Sequence, residues 1–495
     1  MRPALAALVI SSVLVGCSSS DAGVHAGTSN NRPTSSPSTE STPPPSTVLP
    51  TGSSPTPSLP EGPSGVGDEL YPDLGNPGID VDHYDIDLHY DPSTTTIDGT
   101  VTLSITATED LSIFTLDSSG PDVFKVSIDG VAAEFQQHDP ELVIVPNDPI
   151  TNGERFDVAV AYTAQPSPGP GWMATSTGSF TQDEPDGARH WLPSNDHPSD
   201  KATYHFTLSV PAGLTAVANG TLVSHEPPSG SNPGETWVWD QPEPMTTYLI
   251  QVLTGSFDIV DGVGPNGLPL ISALQHKNAA AMQPYLELTA RQIDFFDDLF
   301  GPYPFAEYGI AMTDGDVGGA IEQQGRSLFS AADFASGDVG FLQQALLSHE
   351  LTHQWFGDSV SPARWQDIWL NESFATYGEW MWAEHAGFQS VDAVAQANLD
   401  QRHNGSDEAT GTPDQQGLFG YDEYDGGAVV LHALRRTVGD ATFFSILQAW
   451  SHDNYGKSRT SQDFADLAST ISGQDLTKFF DDWLYATQVP DTYPS

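Results

Sequence analysis

The run His349-Glu350-Leu351-Thr352-His353 has residue types and a spacing that suit metal-dependent hydrolysis. Side chains four residues apart on a helix lie on one face, one turn apart, so both imidazoles can offer a nitrogen to one zinc ion. Glu350 lies about 100° around such a helix from His349, where its carboxylate can reach a water molecule beside the metal. The motif predicts a zinc site with Glu350 as general base, although so short a run also arises by chance.

A second motif supplies the third ligand that a catalytic zinc with two histidines needs. Eighteen residues separate His353 from Glu372, which leaves room for a turn and a second helix that folds back on the first. Glu372 alone could be a solvated helix carboxylate. Its apolar flanks, 368–370 and 374–375, indicate that it is buried, where an unpaired carboxylate is costly and a metal would satisfy it. We therefore predict one Zn²⁺ per chain, held by His349, His353 and Glu372.

Helical periodicity surrounds both motifs. The apolar residues that flank the first motif at helical spacing are Phe341-Leu342, Ala345-Leu346, Leu351 and Trp355-Phe356. This spacing predicts a helix that Gly357 is placed to end, and residues 369–386 and 428–438 predict two more. We expect residues 266–495 to form a mainly α-helical catalytic domain.

Period-two alternation dominates the preceding part of the chain. Residues 84–90 and 204–210 alternate apolar and polar side chains, and turn signals such as Ala218-Asn219-Gly220 separate such runs. This pattern predicts an antiparallel β domain over residues 67–265. The fold class is therefore α+β with several domains. Residues 18–66 are rich in Ser, Thr, Pro and Gly and predict a disordered tether.

The charge of the chain excludes one class of partner. The 495 residues include 66 acidic against 16 basic side chains, a formal net charge of −50. Such a surface repels phosphate backbones, so we expect no nucleic-acid binding. Solubility, in a dilute or saline medium, is the simplest reason for the acidity.

The first seventeen residues predict export. Arg2 precedes an apolar run over residues 4–15, which is too short for a permanent membrane span. It ends in Leu14-Val15-Gly16-Cys17, and Cys17 is the chain's one cysteine. This end resembles the lipobox of bacterial lipoproteins, which implies cleavage before Cys17 and lipid anchoring at the cell surface. An ordinary cleaved signal peptide, and hence secretion, is the alternative.

Longer motifs identify a family resemblance. Residues 349–355, the eighteen-residue gap and residues 369–375 resemble the signature of the aminopeptidase N family of gluzincins. Residues 184–203 and 244–257 are similar to motifs of that family's N-terminal domain, so the likeness extends over residues 80–487. It implies a thermolysin-like zinc catalytic domain that removes N-terminal residues from peptides.

The resemblance also implies further roles. Gly319-Ala320-Ile321-Glu322-Gln323 resembles the family's G-A-M-E-N motif, so Glu322 would bind the substrate amine while the backbone of Gly319 and Ala320 pairs with the peptide. Glu184 fits a second amine-binding position. Tyr424 matches the tyrosine that stabilises the oxyanion, although Gly426 replaces the usual lysine of that motif. Tyr421 is the second candidate.

Two alternatives remain open at this point. A thermolysin-like endopeptidase uses a similar metal motif, and acetylation of the peptide's N-terminus would distinguish it, since an aminopeptidase needs the free amine. An inactive, lipid-anchored binding protein on the same fold is the other. The chain ends soon after residues 479–484, where the likeness places the end of the catalytic domain. From this we expect an open cleft that accepts longer or more varied peptides.

Overall fold

A computed structural model describes residues 59, 62–166, 169–230, 232–335, 337, 339–405 and 408–494. The predicted signal peptide (1–17), with Cys17, and nearly all of the predicted tether (18–66) lie outside the described residues. Within the described ranges, none of the helices is both long enough and apolar enough to span a membrane.

The strands and helices form two blocks. The N-terminal block consists mainly of strands, and the C-terminal block, which begins with the sheet at Phe257, contains the α-helices. The strands are β1 (Ile79–Asp91), β2 (Thr96–Ala107), β3 (Phe114–Asp117), β4 (Asp122–Ile128), β5 (Val131–Ala132), β6 (Glu134–His138), β7 (Glu141–Val145), β8 (Arg155–Ala164), β9 (Gly171–Ala174), β10 (Ser179–Gln182), β11 (Ala202–Pro211), β12 (Thr215–Ala218), β13 (Thr221–Glu226), β14 (Gly234–Met245), β15 (Val252–Gly255), β16 (Phe257–Val263), β17 (Pro269–Gln275), β18 (Ile310–Thr313), β19 (Ala320–Ile321), β20 (Ser327–Ser330), β21 (Val360–Pro362) and β22 (Lys457–Arg459). The helices are α1 (Gln283–Phe300), α2 (Phe341–His353), α3 (Trp369–His385), α4 (Val391–Gly405), α5 (Asp425–Val438), α6 (Asp440–Asp453), α7 (Ser461–Ser472) and α8 (Thr477–Trp483).

The N-terminal block is built around an eight-stranded sheet in the order β13-β14-β11-β1-β2-β8-β4-β5. Its central strands alternate buried apolar and exposed polar residues, because successive side chains of a strand point to opposite faces. In β1 a register shift between Val81 and His83 allows both Val81 and Tyr84 to face the core. Tyr84 stacks on Tyr204 of β11 with ring centroids 4.9 Å apart.

The pairing of β1 with β11 differs from the prediction. Both alternating runs of the sequence form strands, and they are neighbours in the sheet, but they run parallel. The largest sheet of the predicted antiparallel domain is therefore mixed. Local alternation indicates which face of a strand is buried and carries no information on the direction of a distant partner.

The C-terminal block combines a small sheet with the helices. The sheet has the order β16-β17-β18-β20-β19, with β19 at one edge. Helix α2 packs against α3, and α3 against α5. The predicted domain boundary after residue 265 falls in the connection between β16 and β17, which pair with each other, so this sheet already begins at Phe257.

The two blocks share packing. Trp365 and Ile368, which precede α3, belong to the same apolar cluster as the core of the eight-stranded sheet. The ring of Trp365 meets that of Tyr248, from the N-terminal block, at 5.3 Å between centroids. The N-terminal block is thereby held against the start of the helix that carries Glu372.

Candidate active site

Helix α2 brings the two predicted histidine ligands together. The last turns of the helix, from Leu347 to His353, are buried without interruption. His349 and His353 therefore lie inside the protein, with ring centroids 4.8 Å apart. Because they are separated by one helical turn, both rings face the same side of α2.

Helix α3 places Glu372 opposite these rings. Its Oε2 atom lies 3.3 Å from Nε2 of His349 and 3.5 Å from Nε2 of His353. Tetrahedral ligands about 2.0–2.1 Å from a zinc ion lie roughly 3.3–3.4 Å from one another. The three donor atoms thus have the chemistry and the separations of a His₂Glu zinc site.

The sequence prediction missed a carboxylate behind this site. Glu379 Oε1 lies 2.6 Å from Nδ1 of His349. A carboxylate in this position accepts the Nδ1 proton and leaves Nε2 free to bind a metal. Glu379 follows Glu372 by seven residues on the same face of α3, and this helical spacing is the signal that could have identified it.

Glu350 lies beside the ligand set and not within it. Its side chain is buried, and one carboxylate oxygen lies within 4.8 Å of ligand atoms of Glu322 and His353. Burial raises the pKa of Glu350 to about 8, although the neighbouring imidazoles of His349 and His353 oppose the shift. A bound divalent cation would favour the carboxylate form.

Two further carboxylates enter from different parts of the fold. Glu322 follows β19, and Glu184 follows β10 of the N-terminal block. One oxygen each from Glu184, Glu322 and Glu372 lie within 4.8 Å of one another, and all three residues are buried. Among the described residues, Glu322 Oε1 has no hydrogen-bond partner. The structure thus brings together two glutamates that are distant in sequence at one edge of the metal-binding site.

The strand that carries Glu322 is held close to the site by its neighbours. Ala320 pairs with Phe329 of β20, and Ala320 and Gly318 line the small pocket that contains the metal ligands. Gly319 has φ 140°, a value that side chains other than glycine rarely adopt. It lines the larger cavity next to this pocket.

The glutamine at position 323, a departure from the family motif, joins the two blocks. Gln323 Nε2 donates to Thr181 O at 2.8 Å and to Ile250 O at 3.1 Å. Its Oε1 accepts from Gln251 Nε2 at 2.7 Å. Because Gln323 is fully buried, these bonds fix β19 against the strand that leads to Glu184.

The two candidate tyrosines have different surroundings. Tyr424, at the start of α5, lies against His349 with ring centroids 5.9 Å apart and an interplanar angle of 12°. It lines the small pocket together with Glu350. Tyr421 instead donates its hydroxyl to Asn398 O of α4 at 2.7 Å. The structure therefore brings Tyr424, and not the Tyr421 hydroxyl, to the metal ligands.

An arginine occupies the space beside Gly426, where the family motif has lysine. Arg402 of α4 is buried and donates from Nη1 to Gly426 O at 2.7 Å. A Cβ atom built on Gly426 would lie 3.6 Å from the same Nη1 atom. The guanidinium thus lies next to the backbone that presents Tyr424, a contact that no local motif indicates.

Asn371 contacts the N-terminal block. Its Nδ2 donates to the hydroxyl of Tyr248 at 3.1 Å. Tyr248 in turn donates to Gly357 O, at 3.3 Å, just beyond α2. Asn371 thereby links the turn after α2 to the start of α3.

Comparison with known proteins identifies both blocks. Residues 80–249 match the peptidase M1 N-terminal domain, and residues 285–483 match the peptidase family M1 domain. Aminopeptidase N of Streptomyces lividans is 29% identical over 332 residues, which cover 62% of this chain and 38% of that protein. Leucyl aminopeptidase of Saccharolobus solfataricus is 24% identical over 435 residues, which cover 83% of this chain and 54% of that protein. The chain thus spans about half of these relatives or less.

A solved structure matches over its full length. The M1 zinc metallopeptidase of Deinococcus radiodurans is 30% identical, with a TM-score of 0.79, and the match covers 87% of this chain and 100% of that one. The predicted order, a sheet-rich N-terminal domain before a helical catalytic domain, is confirmed by this match, as is the predicted family resemblance. Matches to both domain models, together with a match at 30% identity to the whole solved chain of a two-domain M1 metallopeptidase, show that this chain belongs to peptidase family M1.

Proposed function

We propose that this protein is a zinc-dependent aminopeptidase that hydrolyses the first peptide bond of peptides with a free N-terminus. The observation that carries the proposal is the group of carboxylates from Glu184, Glu322 and Glu372 within 4.8 Å of one another. Glu372 is assigned to the metal, which leaves Glu184 and Glu322 to accept hydrogen bonds from an α-ammonium group. A relative from Deinococcus radiodurans was solved, as a mutant, with a Tyr-Ser-Ala substrate.

In this proposal His349, His353 and Glu372 hold zinc, and Glu379 orients His349. When bound, zinc lowers the pKa of a water molecule and polarises a carbonyl group. The relative's description as a zinc metallopeptidase and the His₂Glu donor set support this metal.

Glu350 and Tyr424 divide the remaining chemistry. The Glu350 carboxylate takes a proton from the attacking water and then delivers one to the departing amine. The Tyr424 hydroxyl donates a hydrogen bond to the negatively charged oxygen that develops on the substrate carbonyl. The small pocket that both side chains line supports these two roles, since each then lies beside the metal ligands. The backbone around Gly319 and Ala320 pairs with the substrate peptide.

The free amine provides the decisive test. Purified protein is assayed for zinc content and incubated with a panel of amino-acid anilides and with one peptide in free and N-acetylated forms. We expect one zinc per chain, hydrolysis of the free forms, and at least a hundredfold lower rate after acetylation. Equal cleavage of the acetylated peptide would support the endopeptidase, and zinc binding without any hydrolysis would support the inactive binding protein.

The location of the enzyme is a separate proposal. We infer from residues 14–17 that Cys17 is lipidated and anchors the exported enzyme at the cell surface, where it would act on extracellular peptides. Expression of the full chain and of Cys17→Ser, followed by membrane fractionation, tests this. Retention of both proteins in the membrane fraction would contradict anchoring through Cys17.

A further inference from the structure

A cavity of about 730 Å³ adjoins the metal-binding residues. It shares Gly318, His349, Phe419 and Tyr424 with the small pocket, whereas Glu184 and Glu322 line only that pocket. If these two glutamates hold the substrate amine, as proposed above, the first residue lies on their side of the metal. The residues that follow the cleaved bond must then enter the large cavity.

The cavity combines apolar walls with acidic groups. Its apolar walls come from α2, α3 and α4, for example Leu346, Trp380 and Val394. Its carboxylates are Asp314, Asp316, Asp333, Glu379 and Asp425, and the described residues that line it include no lysine or arginine. Glu379 is engaged with His349, and Asp425 is buried at the start of α5.

The other three carboxylates, Asp314, Asp316 and Asp333, form what we call the acidic rim. Asp314 Oδ2 accepts from the Thr177 hydroxyl at 2.7 Å, and Asp316 Oδ1 accepts from Gly318 N at 2.9 Å. The lysine and arginine ion pairs of the described chain all involve other carboxylates.

The rim carboxylates also act on each other. Partial burial, and after it the negative charge of Asp316, raise the pKa of Asp333. A cationic group from a ligand would relieve this repulsion. Lysine and arginine have a long apolar stem below a charged head, so their stems suit the apolar walls and their heads the rim.

We propose that the large cavity is a specificity site that favours peptides with lysine or arginine among the first residues after the cleaved bond. Acidic residues there, or the free carboxylate of a dipeptide, are disfavoured. The inference rests on the proposed aminopeptidase function and adds the class of peptide to it.

Two peptides of identical composition separate local recognition from attraction by the net charge. In one octapeptide amide, an N-terminal leucine is followed by two arginines and five glycines. In the other, the leucine is again first and the arginines are the last two residues. We expect kcat/KM to be at least fivefold higher for the first peptide at low salt, and the ratio to fall in 0.5 M NaCl because salt screens exposed charges. Long-range attraction alone would act on both peptides alike.

A second experiment removes two charges of the acidic rim and compares the same two peptides. In Asp316→Asn/Asp333→Asn we expect the preference between the two peptides to fall below twofold, while hydrolysis of the best amino-acid anilide is unchanged, since an anilide has no residue beyond the cleaved bond. Asp98→Asn, an exposed position of β2 in the N-terminal block, is the control for loss of charge and should keep the preference.

The outcomes separate the two proposals. Equal rates on both peptides, or a preference that persists in the rim variant, would overturn the specificity site while anilide hydrolysis leaves the aminopeptidase standing. If neither peptide nor any anilide is hydrolysed, the proposed function fails, and the specificity site fails with it.

Discussion

The eight-stranded sheet and the metal-binding helices bury their side chains according to different rules. In β1 the residues inside are apolar and those outside are polar, so period two is visible in sequence and structure alike. In α2 and α3 long runs are buried whatever their polarity, including His349, Glu350 and Glu372. The contrast teaches that a periodic sequence pattern identifies the buried residues only where those residues are apolar. Burial of charged groups is costly for stability, so the dense group of buried charges at the ends of α2 and α3 points to chemistry.

The largest expected effect is on kcat and comes from a buried charged residue of the metal-binding helices. Glu350→Gln should lower kcat by about 10³-fold, the usual contribution of a general base. Its melting temperature should be unchanged or higher, because Glu350 is buried and glutamine keeps nearly the same shape without a carboxylate that is costly to bury. Steady-state kinetics and thermal unfolding measure both quantities. If Glu350→Gln lost stability but kept its kcat, Glu350 would serve the fold and not the chemistry.

The sheet should show the opposite behaviour. Ile86 is fully buried in β1, and Ile86→Ala should lower the free energy of unfolding by about 2–5 kcal/mol while kcat of the folded enzyme stays unchanged. Asp85→Ala, on the exposed face of the same strand, is the control and should change stability by less than about 0.5 kcal/mol. Urea unfolding and kinetics at low temperature measure the two effects. Similar losses for both variants would show that the alternation does not define the core.

Tyr424 allows a matched test inside the site. Tyr424→Phe should lower kcat by about 10²-fold, because it removes one donor to the oxyanion. Tyr421→Phe removes the same atom three residues away, where the hydroxyl bonds to Asn398 O, and should leave kcat within about threefold while reducing stability by about 1 kcal/mol. If the two kcat values fall equally, Tyr424 has no special role.

Glu379 tests whether a carboxylate that does not touch the metal still controls it. Glu379→Gln should weaken zinc binding by about 10–100-fold, because His349 loses its charged partner. Competition with a chelator measures the affinity. The exposed Glu287→Gln on α1 is the control for lost charge and should bind zinc as the unchanged protein does. Equal affinities in all three proteins would exclude the proposed orienting role.

Asp200 is a buried carboxyl within the N-terminal block. Burial raises its pKa from the ordinary 3.8 to about 7. Between these values the unfolded chain binds fewer protons than the folded one, so this group's contribution to stability is present at pH 4 and is lost as the pH rises through 7. We therefore expect the free energy of unfolding of Asp200→Asn, relative to that of the unchanged protein, to increase by about 1–2 kcal/mol from pH 4 to pH 8. The pKa shift sets an upper limit of about 4 kcal/mol for this increase. A difference that is constant with pH, in urea unfolding, would contradict the shift.

Local patterns predicted the elements and the metal motif, because strand alternation and helical spacing are local properties. These local patterns did not predict the pairings between distant segments. Nothing in the two alternating runs indicated that β1 and β11 run parallel. Glu184 became a candidate only through family resemblance, since it reaches the site from β10. Glu379 and Arg402 were missed because their partners are visible only after α3, α4 and α5 have packed.

The position of Glu184 makes the proposed recognition of a free amine depend on both domains. The helical domain contains every proposed zinc ligand and the general base, but one of the two proposed anchors for a chain end comes from the N-terminal domain. A helical domain separated from the N-terminal domain would therefore keep the proposed hydrolytic residues but lose one of the two groups proposed to bind the free amine. The hydrogen bonds from Gln323 to Thr181 O and Ile250 O hold the two blocks together at this place, so they also keep Glu184 beside Glu322.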